Sequence, residues 1–463
     1  MKENKFLGIF VYPMYAQYEG IKQVFDNIEA LGANAICTTP LVAYPADEGK
    51  GQRKPDLHID GYKRLLSRPI WGKQEIQLEY FPAHDPDLSI FKNSFYKPIS
   101  KKKPPEVDPE IVNAMIAEAK KRGMAVHLMI HPFLPPDIRV EDQPKYIDNS
   151  VPKPPQVALT ACMNNPNAVA YGLALIEDTI KHYPKIDGLF IDWAEYGAYH
   201  LEDHFTCFCS HCEQKALELG FDWNIIKRDM NSLWQWFHSL TPKKLEHSLR
   251  VLGNPSSFTE LFIHYPGCLQ FLQFKAETVV GFYRQTRQLI NTMGLNRIEL
   301  SARGWAPPWN HSSGLDYRAL SEICNAVTPK LFTFDYCALP RWYGQTIQDW
   351  NPKLTESIIL DTLLKWMNLE DNIGNRSFAK YNIPGPKEKH PARFEVYQTR
   401  IDEVLDQVES KANCYPHVCA YMLDSQWEQM VSLIRNSKVD GMWVTMYGYL
   451  SNRKLEIIKK IWQ

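Results

Sequence analysis

Short apolar, β-branched runs alternate along this chain with longer segments whose apolar residues return at helical spacing. That alternation predicts parallel strands joined by crossover helices, since a strand covered on both faces reads as an unbroken apolar run. Eight such runs occur: Phe6–Tyr12, Ala33–Thr38, Met124–His131, Ile186–Trp193, Asn296–Ala302, Lys330–Asp335, His417–Leu423 and Val439–Met446. Eight parallel strands are the number that closes a (β/α)8 barrel. A doubly wound open sheet would show the same alternation, but Tyr12-Pro13-Met14-Tyr15 stands where its Gly-x-Gly-x-x-Gly turn would follow the first run. The expected fold is therefore α/β, a TIM barrel with residues 1–463 as a single catalytic domain.

Helical segments are expected at Glu19–Leu31, at Pro109–Arg122 behind Asp108 as N-cap, at Pro166–His182 and at Ser451–Trp462. Two spans, 41–105 and 200–295, are too long for simple connections and are expected as insertions after strands 2 and 4, above the C-terminal rim of the barrel. The first is rich in Pro, Asp and aromatic residues, as in Arg68-Pro69-Ile70-Trp71, and is expected to wall a binding cleft. The second carries a cysteine cluster followed by helices near Trp223–Leu249 and Gln270–Asn291.

Composition narrows the function. Lysine and arginine total 52 against 53 acidic residues, so no net charge draws the protein to nucleic acid or to an anionic membrane. No run approaches the roughly 18 apolar residues of a membrane helix, and Pro13 and Gln17 interrupt the N-terminus before a signal peptide takes shape. A soluble, cytoplasmic protein is expected, with a carbohydrate as its partner and a homo-oligomer left open. The 13 Trp and 23 Tyr suit that partner, because flat rings stack on the C–H faces of sugars.

In a barrel of this kind the residues just past each strand converge on one pit. Here they are Tyr12, Thr39, His131, Asp192 with Glu195, Arg303, Asp335, Asp424 and Tyr447. The fourth run drives directly into Asp192-Trp193-Ala194-Glu195-Tyr196, two acids interleaved with two large rings. Glycoside hydrolysis needs two carboxyl groups, one to protonate the leaving oxygen and one to act as nucleophile or to activate water. Glu195 is read as the proton donor. Asp192, Asp424 and Asp335 compete for the second role, and a salt-bridge role is the plain alternative for each. His131, Trp193, Tyr196, Arg303, Trp305, Trp309 and Tyr447 are read as substrate-binding, against the alternative of hydrogen-bonded or packed structural residues.

Cys207-Phe208-Cys209-Ser210-His211-Cys212 places three thiols at a spacing able to grip one tetrahedral ion, and Cys162 is available as a fourth ligand. Four thiolates leave no open position, so a zinc ion held this way would be structural; no organic cofactor is expected.

Glu195-Tyr196-Gly197 followed by Cys207-Phe208-Cys209 and Cys212 resembles the acid/base segment and zinc cluster of family 42 β-galactosidases. The strand Asp187-Gly188-Leu189-Phe190-Ile191-Asp192-Trp193 is also similar to that of a set of uncharacterised barrels described as hypothetical glycosyl hydrolases. The resemblance spans residues 160 to 220. It implies a (β/α)8 barrel, glycosidase activity, Glu195 as acid/base, and structural zinc on Cys162, Cys207, Cys209 and Cys212. Two positions depart from the pattern: Ala194 replaces the asparagine before the acid/base, and Asp424, with Glu428 further on, stands where a nucleophilic glutamate is expected. Retention or inversion therefore stays open, as do two other readings: a carbohydrate-binding barrel without catalysis, and a lyase or isomerase acting on sugars.

Overall fold

The computed structural model describes residues 5–463 except 48, 57–63, 100–101, 153–159, 253, 255–258, 260–261, 370–372, 374–375 and 392. Its centre is built by eight parallel strands: β1 (Phe6–Phe10), β2 (Ala35–Thr38), β3 (Ala125–Ile130), β4 (Gly188–Ile191), β5 (Glu299–Trp305), β6 (Ala326–Leu331), β7 (His417–Cys419) and β8 (Gly441–Thr445). Each pairs in parallel with the next, and β8 pairs with β1, so the sheet closes on itself with no free edge. This is the α/β TIM barrel expected from the apolar runs.

The interior is filled in layers. At the bottom Trp443 lies across Gly8, where a Cβ would come within 2.1 Å of the indole, and His127 fills the space over Gly188, where a Cβ would come within 2.4 Å of its ring. The next layer is aromatic: Phe10 stacks on His417 at 4.6 Å and meets Phe190 edge-on at 4.8 Å. Side chains alternate in and out along a strand, so the position two residues further along each strand points into the mouth. Those positions include Tyr12, Asp192, Arg303 and Lys330.

Two strands differ from the expected runs. β6 is Ala326–Leu331, whereas Phe332 caps and Thr333 opens a helix, Thr333–Trp350. Pro329 and Lys330 hide the strand from an apolar count, and the alternating rings of Phe332 and Phe334 imitate one. β5 continues to Trp305, which puts Arg303 and Trp305 inside the strand rather than after it. The segment expected as one helix over Glu19–Leu31 is broken at Gly20 (φ 87°) into Pro13–Glu19 and Ile21–Glu29. Pro166–His182 begins as expected, with the Asn165 side chain accepting from the Asn167 N–H. The helix expected from Pro109 starts later, at Ile111.

Between β2 and β3 lies a three-stranded antiparallel sheet, Leu41–Pro45, Gln52–Lys54 and Ile76–Pro82. Between β4 and β5 come the cysteine cluster and the helices Ser210–Glu218, Trp223–Phe237, Pro242–Leu252 and Pro266–Thr292. No helix among the described residues is long and apolar enough to cross a membrane.

Candidate active site

Asp192 follows β4 directly, and its backbone N–H still bonds to Ile130 of β3, so its carboxylate is delivered into the mouth by the sheet itself. Trp193 then adopts φ 60°, a left-handed conformation that bulky residues rarely take. The turn brings Glu195 back over the ends of β5 and β6. Its Oε2 accepts from the Trp305 backbone N–H at 3.1 Å, and its Oε1 from Lys330 Nζ at 2.8 Å. Gly304 permits this approach, since a Cβ there would lie 2.2 Å from Glu195 Oε2.

Asp192 is ringed by basic side chains. Arg303 forms an ion pair with it, Lys330 Nζ stands 3.8 Å from its Oδ1, and His131 Nε2 lies 3.6 Å from its Oδ2. Arg303 is fixed in turn by its Nε–H, which donates to His417 Nδ1 at 2.9 Å. One ammonium thus serves both acids, capping the gap between their nearest oxygens at about 6.6 Å, no wider than the roughly 5 to 9.5 Å at which glycosidase carboxyl pairs stand.

The two acids have opposite environments. Burial opposes the charge of Asp192, but Arg303 and Lys330 outweigh it and hold the carboxyl well below the usual range. Burial dominates at Glu195 and raises its pKa, with Lys330 offsetting only part of the rise and the Asp192 charge adding to it. Beside them Tyr12 is pushed by burial up to about 12, so its phenol keeps its proton.

Replacing Arg303 by Met should destabilise the fold by about 3–5 kcal/mol, because it strips a buried carboxylate of its main counter-charge. The sign of the pH effect follows from the lowered pKa of Asp192. Its contribution to stability is complete above the ordinary carboxylate pKa of about 3.9 and is lost as the pH falls below it. Arg303→Met should therefore flatten the acid limb of the stability profile, which urea unfolding at a series of pH values would measure.

The structure gathers Asp192, Glu195, Arg303 and His131 as the sequence suggested, and Trp193 joins them with its ring 4.8 Å from Lys330 Nζ. Asp335 is buried in the first turn of the helix after β6, where its charge is felt by Tyr199, whose phenol also senses Glu195 and Asp192. Other expected residues go elsewhere. Asp424 is the exposed first residue of helix Asp424–Asn436, and Glu428 pairs with Lys460 at 3.3 Å on the C-terminal helix, so neither reaches the two acids. Trp305 is 1% and Trp309 3% exposed; they pack against Tyr199 and Tyr336 and form no open platform. Tyr447 is buried, donating to Glu19 at 2.9 Å and accepting from Asn27 at 2.6 Å. Tyr196 turns away from the mouth, its hydroxyl accepting from Asn164 Nδ2 at 3.4 Å.

The turn of Tyr196 links the acids to the cysteines. The Sγ atoms of Cys162, Cys207, Cys209 and Cys212 are all buried within 4.8 Å of one another. Cys162 lies 3.4 Å from Cys209, 3.6 Å from Cys212 and 3.8 Å from Cys207. Four sulfurs at about 2.3 Å from a tetrahedral ion would be about 3.8 Å apart, so the group is compatible with a bound metal ion. Two N–H groups already donate to these sulfurs, Lys145 N to Cys207 and Asn164 Nδ2 to Cys212, both at 3.4 Å. The same Asn164 amide therefore touches a cysteine sulfur and the tyrosine next to Glu195.

No family model matches the chain, and a search of curated proteins finds no match in sequence. Among solved structures the chain is similar to the catalytic domain of β-amylase from Paenibacillus polymyxa, at 10% identity and a TM-score of 0.48, covering 100% of this chain and 98% of that one. It is also similar to β-galactosidase from the psychrophilic Marinomonas ef1, at 10% identity and a TM-score of 0.40, over 72% of this chain and 42% of that one. A third is the β-galactosidase of the Antarctic haloarchaeon Halorubrum lacusprofundi, at 10% identity and a TM-score of 0.45, over 99% of this chain and 57% of that one. The chain thus spans about half the length of these β-galactosidases.

Lys330 is the residue that sequence reading missed. Thr328 and Lys330 alternate with Val327, Pro329 and Leu331, and a polar residue at every second position of a barrel strand points inward. That period of two was the available signal, masked by the proline between them. Lys54, from the inserted sheet, was missed as well; it lies 4.7 Å over the Tyr12 ring and pairs with Asp56 at 3.1 Å. Nothing local marks it, because only the fold of the insertion brings it to the mouth.

Proposed function

We propose that the protein is a glycoside hydrolase, with Glu195 as proton donor and Asp192 as the ionised carboxylate that acts as nucleophile or positions water. The observation that carries this reading is the divided environment of the two acids: both reach Lys330, yet Asp192 is held charged while burial favours the neutral form of Glu195. Two carboxyl groups with opposed proton affinities are what acid-assisted cleavage requires. Arg303 and His417 hold Asp192 in place, and Trp193 offers a half-buried ring beside it for a sugar face.

The four cysteines are read as a structural zinc site that binds the inserted helices to the barrel. Their sulfur separations support this, as do the two N–H donors aimed at them. Zinc would supply cross-linking and no reaction step, since all four positions are taken by sulfur.

A panel of aryl glycosides and natural oligosaccharides, assayed for released sugar, tests the activity. Asp192→Asn should lose at least about a hundredfold in turnover on the substrate found. Full turnover in Asp192→Asn would remove this acid from the mechanism. A second reading, a barrel that binds carbohydrate without cleaving it, is favoured by one observation: the side chain of Glu195 is 1% exposed and already holds two hydrogen bonds. It predicts ligand-induced thermal stabilisation with no product from any glycan.

A further inference from the structure

Helix Pro266–Thr292 carries a lysine, Lys275, that is sealed from solvent at 0% exposure. Buried cations at the barrel mouth stand against carboxylates, as Arg303 does against Asp192 and Lys330 against Glu195. Lys275 does not. Its Nζ donates to two backbone carbonyls, His204 at 3.2 Å and Ser312 at 3.1 Å, and among the described residues no carboxylate lies within ion-pair distance of it. Asp203, whose charge it feels, directs its oxygens to the His200 N–H at 2.9 Å and the Tyr146 hydroxyl at 3.5 Å.

Rings complete the surroundings of the ammonium, which lies 4.8 Å over Phe271 and 5.0 Å over Tyr196. Both rings lead to the cysteines. Phe271 stacks at 4.8 Å on Phe208, the residue between Cys207 and Cys209, and the Tyr196 hydroxyl shares the Asn164 amide with Cys212 Sγ. Burial pushes the pKa of Lys275 down to about 7, and the charges that oppose the fall are those of Asp203, Cys207 and Cys212. Carbonyls and ring faces attract an ammonium but cancel none of its charge. The four thiols have the opposite deficit. Metal ligation requires them as thiolates, so a zinc ion held by all four leaves two negative charges in a buried group. The N–H groups of Lys145 and Asn164 that donate to the sulfurs are neutral and remove none of that charge.

Resting on the structural-zinc reading, we infer that Lys275 is the counter-ion of the loaded four-cysteine site: its ammonium offsets part of the negative charge of the zinc-bound thiolates and so sets how tightly the site holds a divalent metal. The attraction needs no direct contact, because in a medium of low effective dielectric a charge acts across several ångströms.

The full chain, stripped of metal by a chelator and titrated with zinc against a chromophoric competitor, tests this. Lys275→Met removes the charge and keeps the length of the side chain, and it should weaken zinc binding about tenfold or more. Lys275→Gln, which can still donate to one of the two carbonyls, should behave as Lys275→Met does, and Lys275→Arg should keep most of the affinity. Cobalt(II) in place of zinc reports through its absorption whether four sulfurs still bind it, which separates a weakened site from a lost ligand. Thermal unfolding supplies a readout that a packing role would not give. With metal chelated, Lys275→Met should melt at or above the parent, because an uncompensated buried charge is gone; with zinc bound it should melt below the parent. Neutral variants that bind zinc as tightly as the parent, or that melt below it in both states, would overturn the inference and leave the zinc reading in place. A parent chain that binds neither zinc nor cobalt through sulfur would sink both.

Discussion

Glu195→Gln is expected to lower turnover by about a hundredfold to ten-thousandfold on substrates with poor leaving groups, while leaving sugar binding and the fold in place. Glutamine keeps the size of the side chain, and its single amide oxygen can still accept from one of the two donors, the Trp305 N–H or Lys330, but it has no proton of the required acidity to give. Lys330 is not stranded by the change, since Asp192 stands 3.8 Å away and the Trp193 ring 4.8 Å away. The loss should shrink with activated aryl substrates, whose leaving groups depart without protonation. The pH profile supplies a second readout: burial raises the pKa of Glu195, so the alkaline limb of activity should lie above the ordinary carboxylate range and vanish in the glutamine variant. Equal turnover of variant and parent on an alkyl glycoside would take Glu195 out of the reaction.

If the four-cysteine group holds the proposed zinc ion, its removal should unfold the region that the ion would tie together. Zinc sites in small domains carry apparent binding energies of about 10–16 kcal/mol, comparable to the whole stability of a domain, so loss of one ligand is severe. Cys209→Ser, or a strong chelator applied to the parent protein, should lower the melting temperature and split a single transition into two as the inserted helices release from the barrel. The effect should reach the acids. Asn164 bridges Cys212 and the Tyr196 hydroxyl, and the Tyr196 N–H is held by the Ser313 carbonyl, so the segment that carries Glu195 is anchored on the cysteine side. Metal analysis together with calorimetry checks this. A protein that purifies without metal and melts as before would make the cysteines mere packing residues.

The barrel was legible because its strands are buried on both faces, which writes each as a local apolar run that needs no partner to be recognised. Asp192 and Glu195 were legible for the same reason: the run ends and two acids follow at once. Cys207, Cys209 and Cys212 announce themselves by spacing alone. Where the reading failed, a local pattern was competing with a tertiary one. Phe332 and Phe334 alternate like a strand but lie at a helix start, and Asp424 follows the seventh run yet faces solvent because helix Asp424–Asn436 begins at that residue. Trp305 and Trp309 have the composition of a sugar platform, but the helix after β6 supplies Tyr336 to cover Trp309.

What the chain determined by itself is therefore the periodicity: a closed parallel sheet, the face on which polar strand ends collect, and a thiol cluster beside it. Only the folded molecule decided which of those polar groups meet. Lys330 comes to Glu195 across 135 positions of sequence, and an inserted helix brings Lys275 to the rings of Tyr196 and Phe271. Hydrophobic burial is read from neighbours along the chain, whereas a charge takes its meaning from whatever lies within a few ångströms in space, and that distance is set by packing alone.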